Sequence, residues 1–212
     1  MRSTSSHNGM SATEQSHTIT AGASDGWIAR LKDGRLARLR AARSDDAEGV
    51  QEFVRGLSVR SRSNRFFTPV RELSPAQLDQ VMRSGPGELA LLAESENDEG
   101  SRIVAMAQYA ASEPLEAEFA VVVDDAWQRQ GLGTELLGVL AEHAARTGFS
   151  TFTGLVLADN APMLSLVSRL DCELVADRDP YVLRAVKRLD PHERTADRSW
   201  RPWHDVNAVM QA

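Results

Sequence analysis

The feature that most constrains the fold is a pair of closely spaced glycines in residues 128–134, whose sequence is QRQGLGT. The apolar run at residues 117–123 before it is typical of a buried strand, and Leu132, Leu136 and Leu140 after it follow helical spacing. Glycine lacks a Cβ atom, so its backbone can bring N–H groups close to an anion. The unpaired N–H groups and the dipole at a helix start favour the same kind of ligand. The segment therefore predicts a strand, an anion-binding turn and a helix.

A pair of glycines alone leaves a second interpretation open, in which they only permit a tight turn between the strand and the helix. The turn lacks the Lys-Ser/Thr pair of loops that bind nucleotide triphosphates. It also lacks the three-glycine fingerprint of dinucleotide-binding folds and the acidic residue that follows it. These two classes of cofactor site are therefore excluded.

A further apolar run at residues 151–157 follows the predicted helix, which makes this strand–helix–strand unit a crossover between parallel neighbours. Three apolar runs at residues 89–93, 103–110 and 116–123 are separated by polar turns and predict an antiparallel meander. The predicted order along the chain is β-α-α-β-β-β-α-β-α-β-β. We therefore predict the α+β class, with a mixed, mostly antiparallel sheet, a central β-α-β unit and helices on both faces.

Local signals predict the elements before the meander. Leu36 and Leu39 mark a first strand in the sequence GRLARLRAA. Ser44 precedes acidic residues and caps a helix predicted over residues 45–57. Ser74 caps a second helix, because a proline occupies the first helical position after it.

The length of 212 residues fits one domain with tails. Residues 1–25 are rich in Ser and Thr and poor in large apolar groups, so we predict a flexible N-terminal tail. The predicted folded domain spans residues 26–189, and a charged C-terminal extension spans residues 190–212. Trp200 and Trp203 in the extension are expected to pack onto the core. A dimer contact through the two indoles is the alternative, so the oligomeric state is left open.

Composition excludes several classes of partner. The formal net charge of −6 argues against nucleic acid as a ligand. Cys172 is the only cysteine, and with no disulfide to form we expect a cytoplasmic protein. No run approaches the roughly 20 apolar residues that span a membrane. The five histidines lack the spacing of metal ligands, so we predict no metal.

The turn and its flanking elements resemble the GNAT superfamily of N-acetyltransferases. The superfamily signature (Gln/Arg)-x-x-Gly-x-(Gly/Ala), between a strand and a helix, is matched by Gln128, Gly131 and Gly133. The predicted element order matches that fold from about residue 35 to 188. The resemblance implies that acetyl-CoA is the donor. The strand backbone would then hydrogen-bond the pantetheine arm, the turn amides would hold the pyrophosphate, and an asparagine would contact the cofactor arm. The implied donor-binding residues are Val121, Val122, Val123, Gln128, Arg129, Gln130, Gly131, Leu132, Gly133, Thr134 and Asn160. Asn160 also precedes Ala-Pro, as a helix N-cap does, and the two roles are compatible.

Residues 57–78 and 117–137 are similar to the Pat-type protein lysine acetyltransferases. In that group a glutamate on the strand before the turn is the general base, and Glu118 stands at the matching place. Glu118 is also the only charged group in residues 117–123. Burial favours the protonated form of a carboxylate and so makes it a stronger base for an ammonium substrate. The alternatives place Glu118 at an exposed mouth of the strand, or pair it with an arginine from residues 55–71.

The sequence departs from the superfamily pattern at the second helix. Many members carry a tyrosine general acid at the position of Val167, and a Gly-Phe pair at the positions of Asp171 and Cys172. A thiol with a pKa near 8.5 is a tolerable leaving group without an acid, and Tyr181 or water can take the place of the missing acid. Cys172 has no histidine placed to activate it, so we interpret it as a small core residue.

Residues 55–71 contain no acid and five arginines, Arg55, Arg60, Arg62, Arg65 and Arg71. They form either a solvated face or a patch that binds an anionic acceptor or the adenosine phosphate of the cofactor. The predicted function is transfer of an acetyl or other short acyl group from acetyl-CoA to an amine. By resemblance the acceptor is a protein lysine, with acyl-CoA synthetases among the candidate proteins. The alternatives are a small-molecule amine acceptor, a non-catalytic acyl-CoA-binding domain and a protein-interaction module.

Overall fold

The computed structural model describes residues 19–22, 26–97 and 100–190. These residues form nine strands and five α-helices. The strands are β1 (Ile19–Gly22), β2 (Gly26–Arg30), β3 (Leu36–Ala41), β4 (Glu88–Asn97), β5 (Gly100–Glu113), β6 (Glu116–Val123), β7 (Thr151–Leu157), β8 (Glu173–Ala176) and β9 (Val182–Arg188). The helices are α1 (Ala47–Gly56), α2 (Val59–Phe66), α3 (Pro75–Met82), α4 (Leu132–Arg146) and α5 (Ala161–Arg169).

The nine strands form one sheet in the order β1-β2-β3-β4-β5-β6-β7-β9-β8. All neighbouring pairs are antiparallel except β6 and β7, which the crossover helix α4 joins. This parallel pair is short, since it extends only from Glu116 opposite Thr151 to Glu118 opposite Thr153. The predicted α+β class, the meander and the crossover are confirmed.

Two apolar clusters cover the two faces of the sheet. The larger one contains Leu136 and Leu140 of α4, packed against residues of the sheet such as Leu91 and Phe119. The smaller one joins Val50 and other residues of α1 and α3 to the opposite face of β4, β5 and β6. Helices therefore lie on both faces, as the pattern predicts.

Helix α2 is absent from the predicted order. Its sequence, VRSRSNRF, has too few apolar residues to show a helical period, so hydrophobic spacing gives no signal for it. The helix is started by Ser58, whose hydroxyl accepts a hydrogen bond from the Ser61 amide at 3.1 Å. The capping signal at Ser74 is confirmed. Its hydroxyl accepts a hydrogen bond from the Gln77 amide, and the Gln77 side chain accepts one from the Ser74 amide.

The N-terminal strands also lie outside the predicted order. β2 begins at Gly26, where we place the start of the domain, but residues 19–22 form β1 and pair with it. These four residues therefore belong to the sheet although they fall in the predicted tail. The rest of that tail, and the predicted extension with Trp200 and Trp203, lie outside the described residues apart from Asp190.

Candidate active site

The parallel strands β6 and β7 stop pairing after three residues, and a cavity of about 1120 Å³ lies beside the part of β6 that follows. Its wall includes the whole stretch from Glu118 to Val123, Leu155 of β7 and the N-terminal ends of α4 and α5. Helices α2 and α3 form the opposite wall. The topology thus brings the predicted turn, the predicted base and the predicted asparagine to one cavity.

The backbone edge of β6 is free toward this cavity at alternate residues. The Asp124 amide donates to the Val104 carbonyl of β5 at 2.8 Å. Because backbone groups alternate in direction along a strand, those of Val122 also face β5, and those of Val121 and Val123 face the gap toward β7. The predicted pantetheine contacts that this geometry leaves open are the backbone groups of Val121 and the amide of Val123, whose carbonyl accepts a hydrogen bond from Gln128 Nε2. Val122 does not fit that role, since its side chain packs in the smaller cluster and its backbone is turned toward β5.

Gln128 has a structural role that the sequence does not reveal. Its Nε2 atom donates to the Val123 carbonyl and to the Ser61 hydroxyl, both at 3.0 Å. Asp125 in the same turn accepts hydrogen bonds from the Ser58 amide at 2.9 Å, the Ser58 hydroxyl at 2.7 Å and the Ser61 hydroxyl at 2.8 Å. These bonds fasten the turn to the N-terminal end of α2. The Gln128 side chain is engaged in them, so it is not a free ligand for the donor.

The two glycines of the turn are needed for different physical reasons. Gly131 has φ of 99°, a left-handed conformation that L side chains rarely adopt, and no atom lies within 4 Å of where its Cβ would be. A Cβ on Gly133 would lie 2.6 Å from Leu166 Cδ1, so this glycine lets α5 pack against α4. Gly131 therefore shapes the turn, while Gly133 positions the second helix.

The remaining turn residues divide between the cavity and the core. Arg129, Gly131, Gly133 and Thr134 line the cavity. The Gln130 carbonyl accepts from the Lys32 amide at 3.1 Å, and this contact supports the turn from the β2–β3 hairpin. The side chain of Leu132 is buried in the larger cluster, so only its backbone is available for an anion. The amide of Thr134 already donates to the Gly131 carbonyl at 3.0 Å, which removes it from the predicted set of free amides.

Asn160 caps α5 and faces the cavity. Its Oδ1 atom accepts from the Met163 amide at 3.3 Å, and its side chain lines the cavity wall although the residue is buried. The capping role is therefore confirmed. The side-chain amide remains available for the predicted cofactor contact.

Glu118 lies on the sheet face that α1, α2 and α3 cover, and its side chain lines the cavity. The expectation of a mostly buried carboxylate is wrong, because Glu118 is exposed to the cavity. The neighbours that alternate with it, Ala117 and Phe119, are buried on the other face. Among the described residues Glu118 forms no ion pair within 4 Å, so the alternative in which an arginine pairs with it directly is not realised.

Arg65 is the arginine on which the charge of Glu118 acts. It lines the same cavity at the C-terminal end of α2. Burial lowers the pKa of its guanidinium to about 10, and the negative charge of Glu118 opposes that shift. The sequence offers no signal that separates Arg65 from its neighbouring arginines, because the helix that orients it is itself not predicted.

The residues considered as a general acid or nucleophile lie elsewhere. Val167, at the position of the usual tyrosine, is fully buried in the larger cluster. Tyr181 is 76% exposed and is absent from the cavity wall, so the expectation that it replaces the acid is not supported. Burial raises the pKa of the Cys172 thiol, which packs against the larger cluster, as expected of a core residue.

No group of three or more His, Cys, Asp or Glu in the described part of the chain is placed to hold a metal ion. The absence of a metal therefore stays a prediction. None of the described helices combines the length and apolar composition needed to cross a membrane.

Comparison with known proteins agrees with this geometry. Residues 57–171 match the Acetyltransferase (GNAT) family. A protein of Pseudomonas aeruginosa named as an acetyltransferase is 34% identical over 168 residues, which cover 78% of this chain and 89% of that protein. The chain belongs to the GNAT family, and it is an acetyltransferase.

Two solved structures illustrate the likeness in three dimensions. The GNAT domain of S. lividans PAT is 28% identical, with a TM-score of 0.69 over 76% of this chain and 96% of that domain. The alpha-N-protein acetyltransferase RimL, solved in complex with coenzyme A, is 18% identical, with a TM-score of 0.58 over 73% of this chain and 95% of that one. The second likeness is one of fold alone.

Proposed function

We propose that this protein transfers an acetyl group from acetyl-CoA to the side-chain amine of a protein lysine, with Glu118 as the general base. The observation that carries the proposal is the placement of the exposed Glu118 carboxylate, which forms no ion pair among the described residues, in the cavity that also contains the anion-binding turn and the free edge of β6. A base and a donor site in one cavity are what direct transfer to an amine requires.

The cavity fits the donor through backbone groups. Val121 presents its backbone groups, and Val123 its amide, in the gap between β6 and β7, which suits the amides of a pantetheine arm. The amides at the start of α4 suit a pyrophosphate, and Gly131 gives the turn the shape that exposes them. The RimL complex supports this assignment, since it pairs the same fold with coenzyme A.

Acetyl-CoA supplies the acyl group as a thioester. Glu118 accepts the proton that the acceptor ammonium loses, directly or through one water, and so frees the lone pair of the amine nitrogen. The new bond joins that nitrogen to the acyl carbon, and the bond from the acyl carbon to sulfur breaks. The nitrogen loses its second proton as the amide forms, and this proton passes through water to the leaving sulfur, which departs as a thiolate because a thiol is acidic enough to leave without a protein acid.

The likeness to the GNAT domain of S. lividans PAT, together with the Pat-type motifs at residues 57–78 and 117–137, supports a protein lysine as the acceptor. The cavity that α2 and α3 line on one side has a volume of about 1120 Å³, which gives room for a side chain carried by another protein. A small-molecule amine is the second candidate within the same reaction.

Replacement of Glu118 tests the catalytic part of the proposal. We expect E118Q to lower kcat by on the order of 100-fold or more at saturating amine, because a positioned base contributes this much. Calorimetric titration should show that E118Q still binds acetyl-CoA. The matched control is E113Q, the same change at an exposed glutamate outside the cavity wall. A non-catalytic acyl-CoA-binding domain is the conclusion if E118Q and E113Q acetylate amines at the same rate as the wild type.

The acceptor is tested by incubating the protein with labelled acetyl-CoA and candidate proteins, acyl-CoA synthetases among them. Mass spectrometry should locate the label on lysine side chains, and E118Q should abolish it. Label transfer to small amines but to no protein lysine contradicts the proposed acceptor while leaving the reaction intact.

A further inference from the structure

The five arginines between residues 55 and 71 have different surroundings. Arg55 forms ion pairs with Glu48 at 3.1 Å and with Glu72 at 3.0 Å. Arg62 donates to the carbonyls at the C-terminal end of α1, including that of Arg55 at 3.1 Å. These two arginines serve the packing of α1 and are not available to a ligand.

Arg65 differs from them because it lines the cavity and forms no ion pair with any of the described residues. Its Nε atom is shielded from solvent and has no hydrogen-bond partner within the described residues. Its guanidinium lies 4.9 Å from the centre of the Phe66 ring, a contact that supplies only part of the lost hydration. A guanidinium carries five donors in a fixed fork, and burying one of them, here the Nε–H of Arg65, without a partner is unfavourable. The lowered pKa of Arg65 has the same cause.

Arg65 lies in the part of the cavity that contains Glu118. Ser61, near the start of the helix, is hydrogen-bonded to Gln128 of the donor turn. Arg65 lies four residues further on, about 6 Å along the helix axis, where the charge of Glu118 acts on it. The amine must approach Glu118, and Arg65 lines the same cavity, so a group carried beside the amine can reach Arg65.

We propose that Arg65 binds a carboxylate carried by the acceptor beside its amine, so that the enzyme selects lysines with an Asp or Glu neighbour in the sequence. This inference rests on the proposed function. The fork of a guanidinium matches a carboxylate in a two-bond contact, which can include the Nε–H donor that has no partner among the described residues. Arg65 is then a residue that determines acceptor specificity, while Glu118 remains the base.

The test uses peptides that contain one lysine and one Glu, with the Glu moved through the positions on either side of the lysine, and matched peptides with Gln in place of Glu. We expect the wild type to prefer at least one Glu peptide over its Gln partner by about tenfold in kcat/KM. R65Q should bring that ratio close to one. The control R71Q removes the same charge from an exposed arginine outside the cavity wall and should keep the preference.

A second variant protects the test against misfolding. R65K retains the charge and loses the fork, so we expect it to retain only part of the preference. Thermal unfolding of each variant checks that it is folded at the assay temperature. If R65Q fails to fold, the R65K ratio decides, and an R65K ratio equal to that of the wild type overturns the inference.

Other results overturn the inference without ambiguity. Equal rates on Glu and Gln peptides in the wild type contradict it, and so does a preference that R65Q retains. A change in the pH profile of R65Q that is the same for both peptides, with the preference intact, shows that Arg65 acts on Glu118 instead. If the wild type acetylates all peptides without preference and E118Q acetylates none, the inference about Arg65 is wrong and the proposed function stands. Failure to acetylate any peptide overturns the proposed acceptor itself.

Discussion

The hydroxyl of Tyr109 lies 2.6 Å from Nδ1 of His143, and this hydrogen bond is enclosed in the larger cluster between β5 and α4. Tyr109 is 1% exposed and His143 is 9% exposed. Burial, with a smaller contribution from the charge of Arg146, lowers the pKa of His143 to about 4. The pair is on the face of the sheet opposite Glu118, so its protonation state bears on stability rather than on the transfer reaction.

We predict that the free energy of unfolding falls as the pH decreases from about 6.5 to about 4. In this window the unfolded chain binds a proton at His143 and the folded protein does not, so each step down in pH favours unfolding. The total loss from this residue is about 3 kcal/mol. Urea unfolding followed by circular dichroism across the window measures it.

The variant H143Q supplies the control for this prediction. Its amide keeps a hydrogen-bond partner for Tyr109 and does not titrate, so the slope of stability against pH should decrease. The interpretation is wrong if the wild type and H143Q lose stability in parallel over the window.

We predict that G131A weakens the donor site through backbone strain. Alanine at φ of 99° costs about 1 to 2 kcal/mol, and no neighbouring atom clashes with its Cβ. The turn relieves the strain by moving its amides, so the Kd for acetyl-CoA should rise. Calorimetric titration measures this change.

Gly148 offers a matched control for G131A. It has the same φ of 99° and the same open space at its Cβ, but it follows the C-terminal end of α4, outside the cavity wall. G148A should therefore lower the thermal midpoint as G131A does while the Kd for acetyl-CoA stays unchanged. Equal donor affinities for the two variants contradict the assigned role of Gly131.

We predict that G133A weakens donor binding through a different mechanism. Its Cβ would lie 2.6 Å from Leu166 Cδ1, so α5 or the Leu166 side chain must move. Movement of α5 displaces Asn160, its N-cap. The double variant G133A/L166A removes the clash, and a double-mutant cycle on the Kd for acetyl-CoA should show a favourable coupling. Additive effects of the two changes contradict the clash.

The crossover unit could be predicted from the sequence because each of its parts has a local signal. The apolar run of β6, the glycines of the turn and the leucines of α4 follow one another without a gap. The sequence predicts Ser74 and Asn160 as caps for the same reason, since a cap is adjacent in sequence to the helix that it starts. Interactions of this kind are short-range, and residue order alone reveals them.

Roles that depend on distant partners could not be predicted. Gln128 bonds to Ser61, which is 67 residues away. Gly133 is needed because a side chain there would clash with Leu166 on another helix. Glu118 is exposed because it faces the cavity that residues of α2 and α3 also line, whereas the hydrophobic pattern of β6 alone indicates a buried strand.

The contact between Asp125 and α2 leads to the last prediction. Asp125 accepts three hydrogen bonds from Ser58 and Ser61, and although burial opposes ionisation, these bonds lower the pKa of the carboxyl. Since Ser61 also binds Gln128, the donor turn and the helix that carries Arg65 are held together at one point.

D125N keeps one acceptor oxygen and loses the charge, so α2 should separate from the turn more often. We expect faster hydrogen exchange of the α2 amides, a higher KM for both substrates and a smaller protection of α2 by acetyl-CoA. The control D45N makes the same change at an exposed aspartate before α1 and should leave all three unchanged. Exchange in α2 that is equally fast in D125N and the wild type means that packing, rather than this network, holds the helix on the cavity.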